Sequence, residues 1–193
     1  MAGTVVYEVP TWSQIYELLL YLSEKIRLAA YVADVVVGVA RGGLVPGRVL
    51  ADLLGVEELA TLQIEYYTGV AQTKTEPTLK QAPTTSVQGK MVLLVDDIVD
   101  SGESLKLAKS TLKRSGAKEI KTATLYRKPQ STQTPDFTAK QTEKWVIFPW
   151  DTKETLRQII QQKGKRQANQ EIAKIVKAGL PKQLADRLLA DMQ

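Results

Sequence analysis

An α/β fold with an open parallel sheet flanked by helices is what this sequence predicts, and three observations predict it. Short apolar, largely β-branched runs at residues 35–39 and 91–95 alternate along the chain with segments of helical periodicity. Neither run shows polar alternation, which is the pattern of a strand buried on both faces of a parallel sheet. Each is followed by a glycine-bearing turn and then by a helical pattern, the strand-turn-helix order from which parallel sheets are built.

In chain order, Thr11 or Ser13 can cap a helix whose apolar positions Ile15, Leu18, Leu19, Leu22 and Ile26 follow helical spacing and which should run to about Val32. Residues 35–39 read as a strand, and residues 44–54 as a helix closed by Gly55. Residues 59–64 read as a further strand. From Tyr66 to Gly89 the chain is rich in Thr, Gln, Pro and Lys without periodicity, so it reads as a long loop and a candidate lid. The run at 91–95 leads into Asp96 and Asp97, residues 105–114 form a helix ending at Gly116, and residues 120–126 and 145–148 read as strands. Two helices follow at 167–177 and 181–192, joined through Ala178-Gly179-Leu180, with Pro181 at a first helical position.

The chain of 193 residues is long enough for one well-buried domain with a small appendage. A hydrophobic fraction of 44% and a charged fraction of 24% are ordinary for a globular protein. No apolar run approaches the roughly 20 residues that span a bilayer, and no basic-then-apolar leader opens the chain, so the expectation is a cytoplasmic protein with no membrane partner. Cysteine and histidine are both absent. That excludes disulfides, thiolate metal sites and cysteine nucleophiles, and leaves acid-base chemistry to carboxylates, lysine or tyrosine. Residues 161–193 hold seven basic against three acidic side chains, +4 of the net +5. Such a surplus reads as a solvated helical surface rather than a nucleic-acid site.

The most informative stretch is Met91-Val92-Leu93-Leu94-Val95-Asp96-Asp97-Ile98-Val99-Asp100-Ser101-Gly102-Glu103-Ser104. Ser101 and Ser104 supply hydroxyls, and Gly102 lets the backbone approach a ligand at a helix N-terminus, an arrangement that suits a phosphate. Asp96 and Asp97, adjacent on a strand, project in different directions and suit two neighbouring sugar hydroxyls. Phosphate at one end and a diol at the other describe a ribose 5-phosphate. A plainer reading makes Asp-Asp a helix cap and Ser-Gly a turn, but leaves Asp100 unexplained.

The segment resembles the signature of the type I phosphoribosyltransferases, with serines at Ser101 and Ser104 where that family commonly has threonine and with a bulkier Glu103. The resemblance implies that family's fold with a small hood, phosphoribosyl pyrophosphate as donor, and Mg²⁺ held by Asp97 and Asp96. It implies that Asp96, Asp97, Ser101, Gly102, Glu103 and Ser104 bind the ribose and its 5-phosphate, with Asp100 taking a proton from the purine N7. Gly38-Val39-Ala40-Arg41-Gly42-Gly43 resembles the family's pyrophosphate loop, placing Arg41, Gly42 and Gly43 on the pyrophosphate and implying a cis bond between Ala40 and Arg41. Lys74, in the lid segment, would reach the same charge on closure.

Two further segments, Tyr126-Arg127-Lys128-Pro129 and Lys144-Trp145-Val146-Ile147-Phe148-Pro149-Trp150-Asp151, resemble those of the xanthine-guanine and related 6-oxopurine phosphoribosyltransferases. This resemblance puts Lys128 on the purine O6, Trp145 on the ring face and Val146 at a backbone contact to the 2-position. Taken singly, Trp145 reads rather as core and Lys128 as a solvated surface charge; found together downstream of the signature, they favour the purine reading. The resemblance covers residues 35–151. It implies a phosphoribosyltransferase domain over residues 1–160, its hood formed by the N-terminal helix and about 127–155, and a helical extension over 161–193. The expected reaction turns a purine base (guanine, xanthine or hypoxanthine) and phosphoribosyl pyrophosphate into a nucleoside monophosphate and pyrophosphate, in a homodimer or higher homo-oligomer. The alternatives are a regulator of the same fold, its last two helices acting on nucleic acid, and a nucleotide-binding protein without turnover.

Overall fold

The computed structural model describes residues 5–67, 76–163 and 165–192. Contacts divide the chain into two compact units, one of residues Tyr16–Thr142 and the other of Met1–Ile15 with Glu143–Gln193.

The first unit is built on a six-stranded sheet. Its strands are β2 (Val35–Ala40), β3 (Leu59–Tyr67), β4 (Glu76–Gln81), β5 (Met91–Val99), β6 (Glu119–Arg127) and β7 (Phe137–Gln141), in the order β4-β3-β2-β5-β6-β7. All neighbours are parallel except β3 and β4. The expected all-parallel sheet therefore gains an antiparallel edge inside the segment read as a loop. β3 runs on to Tyr67, and Ile64 pairs with Leu79 and Tyr66 with Pro77. Only alternate residues of β4 are half-buried, so it carries no apolar run, and an edge tolerates its proline. β7 escaped the sequence reading for the same reason, Phe137 being its one buried residue.

Helix α3 (Glu103–Arg114) lays Leu105, Ala108 and Leu112 on one face of the sheet, against Val35, Val37, Val92 and Leu94. Helix α2 (Leu44–Leu54) covers β2, where Gly47 comes so near that a side chain on it would stand 3.5 Å from the Gly38 Cα. Helix α1 (Trp12–Leu28) buries Ile15, Leu19, Leu22 and Ile26 at helical spacing. Thr11 and Gln14 close its N-terminus reciprocally: Gln14 N–H donates to Thr11 Oγ1 (3.2 Å) and Thr11 N–H to Gln14 Oε1 (2.8 Å). The helix stops at Leu28 rather than near Val32, because Ala30 turns to a φ of 52°. Beyond it, the Tyr31 hydroxyl donates to the Val92 carbonyl (2.8 Å).

In the second unit, β1 (Tyr7–Glu8) and β8 (Trp145–Val146) form a two-stranded parallel pair, Tyr7 opposite Trp145 and Glu8 opposite Val146. The strand expected at 145–148 is thus confined to its first two residues and does not belong to the main sheet. Helices α4 (Thr152–Gln162), α5 (Lys165–Lys177) and α6 (Lys182–Ala190) pack Leu156, Ile159, Ile172, Ile175 and Ala185 around Ile147. Pro181 stands one place before α6, as its N-cap residue, rather than in its first position. Among the described residues no helix is long and apolar enough to cross a membrane.

Candidate functional site at the strand ends

The chain leaves β2 toward β3 on one side and leaves β5 toward β6 on the other, although β2 and β5 are neighbours. Their two following loops consequently diverge, and the crevice between them at the carboxyl ends of the strands is where open α/β sheets take their ligands. Both loops singled out in the sequence, Arg41-Gly42-Gly43 and Asp100–Ser104, open there.

The close packing of these loops explains the glycines. A side chain on Gly42 would run into the Asp97 carboxylate, its Cβ only 2.6 Å from Oδ1. One on Gly43 would meet backbone instead, the Val95 carbonyl and, at 2.7 Å, the Val39 amide nitrogen. Arg41 follows a cis bond from Ala40. Gly43 N–H donates to Val39 O at 2.7 Å, which folds the turn back on its own strand before α2 begins. Arg41, Gly42, Gly43 and Asp97 are thus brought together.

The two aspartates at the end of β5 face different surroundings. Asp96 is buried, 8% exposed, and burial together with the charge of Asp97 raises its pKa well above the ordinary aspartate range. Its Oδ1 accepts the Asp97 N–H (2.9 Å), and Asp97 Oδ1 accepts the Ile98 N–H (2.7 Å). Asp97 is half-buried against Gly42. Among the described residues no group of three or more acidic side chains gathers to hold a metal by protein ligands alone.

Beyond β5, Asp100 and Ser101 are exposed and Gly102 turns with φ of 95° to begin α3 at Glu103. That left-handed φ and the contact of Gln133 with the Gly102 backbone account for the glycine; its Cβ position lies 2.8 Å from Gln133 Cβ, so protein rather than ligand fills that side. Ser101 Oγ accepts the Glu103 N–H at 3.4 Å. Glu103, the residue out of keeping with a phosphate site, has its carboxylate 3.8 Å from the Lys106 ammonium on the exposed side of α3. The amides of the first turn of α3, with Ser101 and Ser104 beside them, form a helix N-terminus of the kind that suits an anion.

Lys128 directly follows β6, its N–H donating to Val99 O at 2.9 Å, and it is 6% exposed. A solvated surface lysine is therefore excluded. Trp145 and Val146 belong to the other unit: Val146 is buried there, and Trp145 is 54% exposed, which excludes the core reading of the tryptophan. Lys74 lies outside the described residues. The sequence reading passed over Gln130 and Thr132, which reach back from the loop after β6 to Asp100 and Ser101.

The sequence profile of the phosphoribosyl transferase domain matches residues 11–155. The chain is 30% identical over 151 residues to the xanthine-guanine phosphoribosyltransferase of Gluconobacter oxydans (strain 621H), covering 77% of this chain and 87% of that one. It is 36% identical to the purine phosphoribosyltransferase from Pyrococcus horikoshii Ot3, with a TM-score of 0.67 over 75% of this chain and 93% of the other. The Helicobacter pylori xanthine-guanine-hypoxanthine phosphoribosyltransferase superposes with a TM-score of 0.69 over 79% of this chain and 98% of its own, at 21% identity, a likeness of fold alone.

Proposed function

The chain belongs to the phosphoribosyl transferase domain family, and we propose that it transfers the 5-phosphoribosyl group of phosphoribosyl pyrophosphate to a 6-oxopurine. The bond from C1′ to the pyrophosphate oxygen breaks, and one from C1′ to the purine N9 forms. A nucleoside monophosphate and pyrophosphate leave, and a proton is lost from the purine N7.

The observation that carries the donor half is the meeting of Gly42 with Asp97 across the crevice between β2 and β5. The Arg41 guanidinium and the amides of Gly42 and Gly43 would bind pyrophosphate and stabilise its charge as it departs, with Lys74 as a further candidate. Asp96 and Asp97 would hold the ribose hydroxyls, while the amides of Glu103 and Ser104 with the Ser101 and Ser104 hydroxyls take the 5-phosphate. Asp100 would accept the N7 proton, a carboxylate being what a chain without histidine has to offer.

The same aspartates suit Mg²⁺. The donors are all oxygen, and Mg²⁺ usually takes one or two carboxylates and completes its shell with substrate phosphates and water. A cation there would also offset the charge of Asp97, which adds to burial in raising Asp96. Bound with the donor, Mg²⁺ supplies charge neutralisation at the pyrophosphate.

Lys128 supports the acceptor half. A buried ammonium has only donors, which match a 6-oxo group and oppose the 6-amino group of adenine. Trp145 and Val146 keep the purine-facing roles that the resemblance gives them, supported by the exposure of Trp145 within its own unit. The proposal includes residues 1–160 as the transferase domain, 161–193 as a helical extension, a cytoplasmic location and a homodimer or larger homo-oligomer. Steady-state assay with guanine, xanthine, hypoxanthine and adenine tests it: at least one oxopurine should exceed adenine by about 10² or more in kcat/KM. Efficient use of adenine would overturn the acceptor assignment, and no turnover with any base would overturn the activity.

A further inference from the structure

The loop after β6 does more than carry Lys128. It is fastened to the end of β5 and to the loop that follows it. Lys128 N–H donates to Val99 O at 2.9 Å, and Thr132 donates twice to Ser101 O, from its N–H at 3.0 Å and its hydroxyl at 2.8 Å. Between these anchors the Gln130 side-chain amide donates to Asp100 Oδ1 at 3.2 Å. The loop is also held closed on itself: Ser131 Oγ donates to Gln133 O (2.9 Å), and the Arg127 guanidinium reaches Ser131 O (3.4 Å).

The chemistry gives this lacing a purpose. The O6 and N7 atoms of a purine lie on one edge of the base, so a group bound to the first and a group accepting a proton from the second must keep a fixed separation. Misplacement by about 1 Å can cost on the order of 10² in rate. Lys128 is buried and its position is set by the sheet, whereas Asp100 is exposed and its carboxylate would otherwise rotate freely. An amide N–H on Oδ1 fixes the carboxylate plane and leaves Oδ2 to take the proton. Glutamine makes that contact without adding a charge, so the carboxylate is held but not neutralised by an ion pair.

We propose that Gln130 is a positioning residue, which orients Asp100 and couples it through the 128–132 loop to the lysine on the base. The proposal rests on the purine-transfer reading above. Gln130 itself touches neither substrate nor the reacting atoms in this scheme.

The test is a double-mutant cycle on the full chain, with phosphoribosyl pyrophosphate, Mg²⁺ and the best oxopurine as substrates. Gln130→Ala should lower kcat by about 10-fold or more, leaving KM for the donor and the melting temperature unchanged. Gln130→Met, which keeps the length and lacks the donor, should do the same. In an Asp100→Asn background, Gln130→Ala should have no further effect, because orientation is immaterial once the proton acceptor is gone. Unchanged kcat in the single variants overturns the proposal. So does a loss that multiplies with that of Asp100→Asn, or lowered melting in both Gln130 variants, since each marks a general structural role. If Asp100→Asn alone keeps full turnover, the proton-acceptor assignment fails and takes this inference with it. An inactive wild type fails at the activity itself.

Discussion

Asp96 at the end of β5 and Glu171 on α5 are both acids shielded from bulk water, yet their surroundings act on them in opposite senses. Asp96 is buried beside a second carboxylate, and its pKa is driven well up. Glu171 receives hydrogen bonds from Lys174, Tyr7 and Lys163, and its pKa is drawn down to about 2. Tyr7, partly buried and donating to that carboxylate, is pushed up to about 12. The helical unit has arranged its charges for its own stability. The sheet unit has crowded like charges at the end of β5, where, on the proposed reading, a divalent cation, a sugar or both would relieve them, and such local inconsistency marks sites more often than scaffolds.

The comparison can be broken most forcefully at Asp100. Asp100→Asn should lower kcat by about 10² to 10⁴ while leaving donor affinity largely intact. Single-turnover kinetics with calorimetric titration of the donor would separate the two effects, and undiminished turnover would remove Asp100 from the chemistry. A smaller but sharper effect lies in the adjacent glycines. The added carbon of Gly43→Ala meets backbone, and the variant should lose about 1–3 kcal/mol of stability, the usual cost of overpacking. Gly42→Ala meets the end of the Asp97 side chain, which can move. It should melt near the wild-type temperature and bind the donor more weakly. Equal melting of the two variants would contradict this division of roles.

The inner strands, the two glycine turns and the acidic loop were legible in the sequence for physical reasons. A strand buried on both faces must be apolar throughout, and a turn where an added Cβ would stand within 2.7 Å of strand backbone, as at Gly43, has no room for a side chain. β4, β7 and β1 were not legible, because an edge or two-residue strand buries too little to leave a pattern, and β8 was read only within the longer strand at 145–148. α4 was passed over since only Leu156 and Ile159 among its aliphatic residues are buried. Gln130 gave no signal, standing in a run of Gln, Ser and Thr that reads as linker until the fold brings it to a residue thirty positions away.

On the helical side the expected effect is smaller and depends on pH. The folded-state value of Glu171 lies below its ordinary 4.5, so its stabilisation is present above about pH 4.5 and is lost as pH falls toward 2. Glu171→Gln should lower the melting temperature at neutral pH and flatten the acid limb of the stability curve. A variant with an unaltered acid limb would show the Lys163–Lys174–Tyr7 cluster to be incidental.

The central claim, that Asp96 is kept in an unfavourable setting for the sake of its ligand, is tested most directly by melting wild type and Asp96→Asn with and without phosphoribosyl pyrophosphate and Mg²⁺. The folded-state value of Asp96 is raised above its ordinary 3.8, so the group costs the fold stability, a loss that builds as pH rises from there up to the folded-state value. Asparagine removes the ionisable group and keeps an oxygen to accept the Asp97 N–H. At neutral pH without ligand the variant should melt higher, by about 2–4 °C for each kcal/mol recovered, and the ligand should stabilise wild type far more than the variant. A variant that melts lower than wild type, and that the donor stabilises just as well, would contradict the claim.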